Sequence, residues 1–161
     1  MKNRLLSLMV LCVALPAVLV ANPGEKKTLT GVWFMQVTPH DAPRIILGLA
    51  TFGGDGTFTN VGDQKLPAIP VIEAVGTELG PGYGRWTRTA DREYHLTFYA
   101  TLRKQGVVTG FHRVQSTIVL AESGEAFTAH GEADFLDANW NVVLSTTTDG
   151  KGKRLETPDQ L

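Results

Sequence analysis

From Thr28 onward, apolar residues mostly alternate with polar ones or come in short runs, and clusters of Gly, Asp and Asn break them at intervals typical of antiparallel strands. No long window carries helical periodicity. The pattern predicts strands at Gly31–Val37, Arg44–Phe52, Thr57–Val61, Tyr83–Thr89, Glu93–Leu102, Val107–Leu120, Ala126–Leu136 and Asn141–Thr148, with a short return at Arg154–Glu156. Turn-forming residues supply the joints: Asp55-Gly56, Ala90-Asp91-Arg92, Ser123-Gly124, Asp137-Ala138-Asn139 and Asp149-Gly150. About eight strands in sequence-adjacent hairpins is the count of an up-and-down barrel, so the fold class expected is all-β and antiparallel. One stretch departs from the pattern. Gly62 to Gly82 carries Pro67, Pro70 and Pro81 and four glycines. So long a connection in a compact domain is a functional element such as a lid, the host of a short helix, or a plain flexible link. Val71–Val75 has the length for one helical turn or two.

The first residues follow a different rule. Charge at Lys2 and Arg4 precedes an uncharged run from Leu5 to Val20, the order of a secretory signal peptide. The run is short for a membrane span, contains Pro16 and ends in small residues. Cleavage is expected after Ala21, with Ala17 as the alternative, which divides the chain into a signal peptide at 1–21 and a single barrel domain at 22–161. The one cysteine, Cys12, falls in the discarded segment, so the exported domain has no thiol and depends on its core alone.

The whole chain holds 15 basic and 16 acidic side chains; loss of Lys2 and Arg4 leaves a net charge of about −3. That balance offers no electrostatic footprint for a nucleic acid, and cleavage leaves no stable membrane anchor. The absence of any Asn-x-Ser/Thr sequon fits a bacterial protein of the periplasm or the medium.

Leu29-Thr30-Gly31-Val32-Trp33 opens the first strand and Gly152-Lys153-Arg154 stands near the C-terminus. Together they resemble the lipocalin and calycin pattern, in which a Gly-x-Trp begins the barrel and a basic side chain of the last strand covers the Trp. The Thr-Asp-Tyr turn of the second lipocalin motif has no counterpart here, so the likeness is to the looser lipocalin-like barrels of small exported bacterial proteins. The resemblance implies that Trp33 plugs the closed end and Arg154, or Lys153, lies across the indole as a cation–π cover. It further implies a cup for a small, largely apolar molecule, with cyclases and isomerases as the enzymatic relatives.

Strand parity then selects what faces inward. Tyr94, Leu96, Phe98, Ala100 and Leu102 form one apolar parity; Phe127, Ala129, Gly131, Ala133 and Phe135 form another. The middle of the second set is small, which either opens a cavity or admits large neighbours such as Trp86 or Tyr94. Trp86, Tyr94, Phe98, Phe127 and Phe135 are the candidate ligand walls. On Val107–Leu120 the parity of His112, Val114, Ser116, Ile118 and Leu120 has the more apolar C-terminal half. It carries His112 inward, where an imidazole orients a ligand carbonyl or serves as acid or base. A satisfied structural histidine or a rim position is the alternative.

Other candidates for chemistry are weaker. His130, Glu132 and Asp134 share one face of a strand and are metal-ligating types, but their parity is opposite to that of Phe127 and Phe135, the pattern of a solvated face, and no second ligand cluster accompanies them. Gly53-Gly54-Asp55-Gly56 joins two strands with no helix to receive a phosphate. Ser116 and Ser123 lack a nucleophile-elbow sequence. Neither a metal nor a cofactor is called for. Three functions follow in order: a binder of a small apolar molecule, an isomerase or cyclase using the same cavity with His112, and a structural or interaction protein with a filled barrel. Expression in a bacterial host is expected to yield a chain that begins at Asn22 in the periplasm or medium, checked by intact mass; an unprocessed chain in the membrane fraction would contradict the cleavage reading.

Overall fold

The computed structural model describes residues 27–41, 44–63, 65–66 and 68–155; the expected signal segment 1–21 and Glu156 lie outside the described residues. Eight strands follow one another around a closed antiparallel barrel: β1 (Gly31–Pro39), β2 (Ile46–Phe52), β3 (Thr57–Gly62), β4 (Glu78–Arg88), β5 (Glu93–Lys104), β6 (Val107–Leu120), β7 (Ala126–Asp137) and β8 (Val142–Arg154). Each strand pairs with the next, and β8 returns to β1 with Trp33 opposite Arg154 and Pro39 opposite Thr148. This is the all-β, up-and-down architecture that the alternation predicts.

Two boundaries differ from the sequence expectation. Asp149-Gly150 is not a turn: Asp149 pairs with Thr38 and His130, Gly150 with Val37 and Ala129, so the expected return is the continuation of β8. Neighbours on both sides fix the backbone there, and they override the local turn preference of Asp-Gly. β4 begins five residues earlier than Tyr83, and Pro81, which cannot donate to a ladder, is accommodated where the register shifts between Leu79 and Gly82. In the long connection before it, one short helix forms, α1 (Pro70–Val75). Pro70 sits in its first turn, where the missing N–H has no intrahelical partner to lose. Ile72 and Val75 turn inward against Leu102 and Phe135.

The inward parities are those expected. On β5 every second residue from Tyr94 to Leu102 is buried, as are Val114, Ser116, Ile118 and Leu120 on β6. One end of the barrel is filled by aromatic rings. Trp33 is fully buried, 4.9 Å from Phe127 between ring centres, and Phe52 lies 4.9 Å from Phe58 and 6.1 Å from Phe127. The Trp33 indole N–H donates to the Leu29 carbonyl at 2.8 Å. Across the indole lies Arg154, its guanidinium carbon 4.4 Å from the ring centre. The same guanidinium donates to the carbonyls of Thr28 and Thr30, both at 2.6 Å, and of Gly124 at 2.8 Å. One side chain thus fastens the incoming segment, the β6–β7 turn and the last strand. Gly31 makes room for it. Its φ is +134°, and a Cβ there would stand 2.7 Å from Arg154 Nη1.

Arg154→Ala removes the ring contact and three charge-assisted hydrogen bonds and is expected to cost about 2 kcal/mol. Arg154→Lys retains charge over the indole without the planar fork and should recover only part of that loss. Urea unfolding of both variants beside the parent chain measures this, and an unchanged midpoint in Arg154→Ala would remove the clamp from the account of stability.

Candidate functional site

Above the aromatic floor the side chains no longer meet. On β7 the inward positions between Phe127 and Phe135 are Ala129, Gly131 and Ala133, and the space that they leave is a cavity of about 150 Å³. Phe98 on β5, Phe127 and Phe135 on β7, and Leu96, Val114 and Ile118 supply apolar wall. The α1 segment covers the opposite end, with Leu66, Ile69, Ile72 and Leu79 facing the cavity. It is tied down at several points. Arg44 pairs with Asp63, Leu66 N–H donates to the Thr77 carbonyl at 3.1 Å, Thr77 N–H to that of Arg103 at 2.8 Å, and the Thr109 hydroxyl to that of Val75.

Four of the side chains expected in the cup, His112, Phe98, Phe127 and Phe135, are on this wall. The other two, Trp86 and Tyr94, are not part of the lining. They pack on each other at 5.5 Å, Trp86 reaches Phe52 at 6.2 Å, and the Trp86 indole donates to the Gly53 carbonyl at 3.1 Å. Both belong to the filled end, where the Tyr94 hydroxyl is buried without a partner. Trp33 and Arg154 form the plug and cover described above.

His112 stands between Ala100 and Phe135 in the sheet, with its ring 4.7 Å from that of Phe135 and 6.5 Å from that of Phe98. It has no hydrogen-bond partner among the described residues. Burial among these rings pushes its pKa down to about 4, against a smaller opposing pull from Asp134. The imidazole is therefore neutral at pH 7 and presents one donor and one acceptor.

The set His130, Glu132 and Asp134 is divided among separate partners. Asp134 is buried at the outer face of the wall; burial raises its pKa, but hydrogen bonds from Ser145 at 2.5 Å and from Arg113 at 2.7 and 3.0 Å outweigh that and hold it below the usual carboxylate range. His130 Nδ1 lies 2.8 Å from one oxygen of Asp149, whose other oxygen lies 2.8 Å from His40 Nε2. Glu132 is exposed.

Sequence reasoning missed Thr146 and Thr148, which face the cavity from β8, and Asn60, which faces it from β3. The run Ser145-Thr146-Thr147-Thr148 has no apolar alternation, so nothing in it distinguishes inward from outward. Only its pairing with β7, where Ala133 opposes Thr146 and Gly131 opposes Thr148, shows the side.

Compared with protein-family models and with curated protein sequences, the chain matches none.

The depressed pKa of His112 sets a pH window. Unfolded, the ring takes a proton near pH 6.5; folded, it resists until about pH 4. Stability from this group is thus complete above pH 6.5 and is lost as pH falls toward 4, with a slope of at most about 1.4 kcal/mol per pH unit. Denaturant unfolding at pH 7 and pH 5 is expected to show a smaller pH dependence in His112→Phe than in the parent, and an imidazole that titrates near 6.5 by NMR in the folded state would contradict the assignment.

Proposed function

We propose that this chain is an exported, lipocalin-like barrel that holds a small, largely apolar molecule in its cup. The observation that carries the reading is the division of the interior: one end is packed with aromatic rings, while the other leaves about 150 Å³ walled mostly by Phe, Leu, Ile, Val and Ala side chains. An apolar cavity of that size is enough for a ring the size of benzene. Apolar wall with a few polar groups is the usual composition of a small-molecule site. The Trp33 plug under Arg154 supports the lipocalin-like assignment, and the charge segregation of residues 1–21 supports export to the periplasm or medium. A filled structural barrel has the cavity against it.

The second reading, an isomerase or cyclase on the same cavity, is favoured by one observation, the neutral and unpartnered imidazole of His112 on the wall. A group in that state accepts a proton from a bound substrate without first losing one.

Benzene, a neutral probe of the size that the cavity admits, is expected to bind saturably to the purified protein by calorimetry. Ala129→Leu, which places bulk in the cavity, should weaken that binding about tenfold without lowering the melting temperature. Absence of probe binding, together with no co-purifying molecule in native mass spectrometry, would overturn the reading. If His112→Ala abolished turnover of a captured molecule and left its affinity intact, the enzymatic reading would replace simple carriage.

A further inference from the structure

The register sets three residues in a row across the cavity wall: Ser116 on β6 opposes Gly131 on β7, and Gly131 opposes Thr148 on β8. Both hydroxyl residues are buried, 8% and 7% exposed, and both line the cavity. Gly131 between them tolerates no substituent, because a Cβ would stand 2.2 Å from the Gln115 carbonyl oxygen and 2.5 Å from Ser116 Oγ. The Ser116 oxygen therefore lies over Gly131, and the strand between the two hydroxyl residues brings no side chain of its own. Neither hydroxyl has a hydrogen-bond partner among the described residues. Among the described residues the Tyr94 hydroxyl is the one fully buried side-chain polar atom without a partner, so the Ser116 and Thr148 oxygens open onto the cavity, where Ala and Val would fill the same positions without presenting an oxygen. Two unpaired hydroxyls aimed at one cavity point to a polar atom on whatever occupies it.

The character of that atom follows from the charges. Three charged residues touch the cavity: Asp41 and Asp63 stand in the loops that follow β1 and β3, Asp63 already paired with Arg44, and Lys151 is exposed on β8. The row itself holds no cation, and its neighbours in the ladder on the inward side are Leu96, Ala129 and Ala133. A carboxylate seated there would be a buried charge with only hydroxyls to answer it. A ketone accepts from both hydroxyls, and an alcohol donates to one while accepting from the other.

We propose, resting on the ligand-binding reading above, that the molecule held in the cavity is a neutral oxygenated hydrocarbon, an alcohol or ketone rather than a fatty acid, whose oxygen seats against the hydroxyls of Ser116 and Thr148. The test is the affinity at pH 7, by calorimetry, of four compounds on one six-membered ring: cyclohexane, cyclohexanol, cyclohexanone and cyclohexane carboxylate. The parent protein should prefer the alcohol and ketone to cyclohexane by about fivefold and to the carboxylate by more than tenfold. In Ser116→Ala with Thr148→Val, which keeps shape and removes both hydroxyls, the preference over cyclohexane should fall to about one while cyclohexane keeps its affinity within twofold. That retained cyclohexane affinity also certifies the fold of the variant. The inference is overturned if cyclohexane binds and oxygen brings no preference, if the carboxylate binds as tightly as the ketone, or if the double variant keeps the parent's selectivity; the binding reading survives all three. If no member of the series binds and benzene does not either, the binding reading itself falls.

Discussion

A cation resting on an indole holds the two ends of one sheet together. Arg154 lies over Trp33 at the pair of residues where β8 meets β1, and it reaches three carbonyls on segments far apart in sequence. A domain without a disulfide has few ways to stop its first and last strands from drifting apart, since the ladder bonds between them are individually weak. The aromatic cluster under Arg154 adds the non-directional part, through rings 4.9 to 6.2 Å apart that exclude water from the floor. Everything above that floor, including the cavity, exists because this end is shut.

The cavity then follows from residue size. A barrel of eight strands is just wide enough for side chains to fill it, so every small residue facing inward leaves room that only a neighbour can take up. Around Trp33 the neighbours are large enough. Around Ala129, Gly131 and Ala133 they are Val114, Ser116, Thr146 and Thr148, and the room persists. Of the polar members, Ser116 and Thr148 are the informative ones, because a wall selected only for packing has no use for hydroxyls without a partner, whereas the Thr146 hydroxyl donates to the Thr147 carbonyl.

Much of this was legible in the sequence. Alternation on β5 and β7 gave the inward parity, because those strands carry an apolar face against a polar one, while on β6, with Val107, Phe111 and Val119 on the other side, only the more apolar C-terminal half of the His112 parity gave it. The pairing of Trp33 and Arg154 was legible only through the resemblance of two short motifs to the lipocalin pattern, and the structure places the guanidinium over the indole. What was illegible depended on third neighbours. Trp86 and Tyr94 share the inward parity of Phe98 but lie at the floor, and height along the barrel is set by the stagger between strands, which a single strand does not encode. Asp149-Gly150 carries a turn signature that two flanking strands suppress. The threonines of β8 carry no signature of facing at all, and α1 shows its role only when Ile72 and Val75 are seen against Phe135.

The seam between β1 and β8 also bears on how the molecule fails. A closed barrel offers no free strand edge, so no neighbouring chain has a row of unpaired backbone groups to join. Opening the seam creates two such edges at once, β1 with nine residues and β8 with thirteen, on a chain whose outer surface already shows Leu47, Leu49 and Val61 to solvent. A species parted at that line is a template for strand addition before it is an unfolded chain. The contact that shuts the barrel is therefore also its defence against self-association, and its loss opens a route to insoluble protein beside the loss of stability.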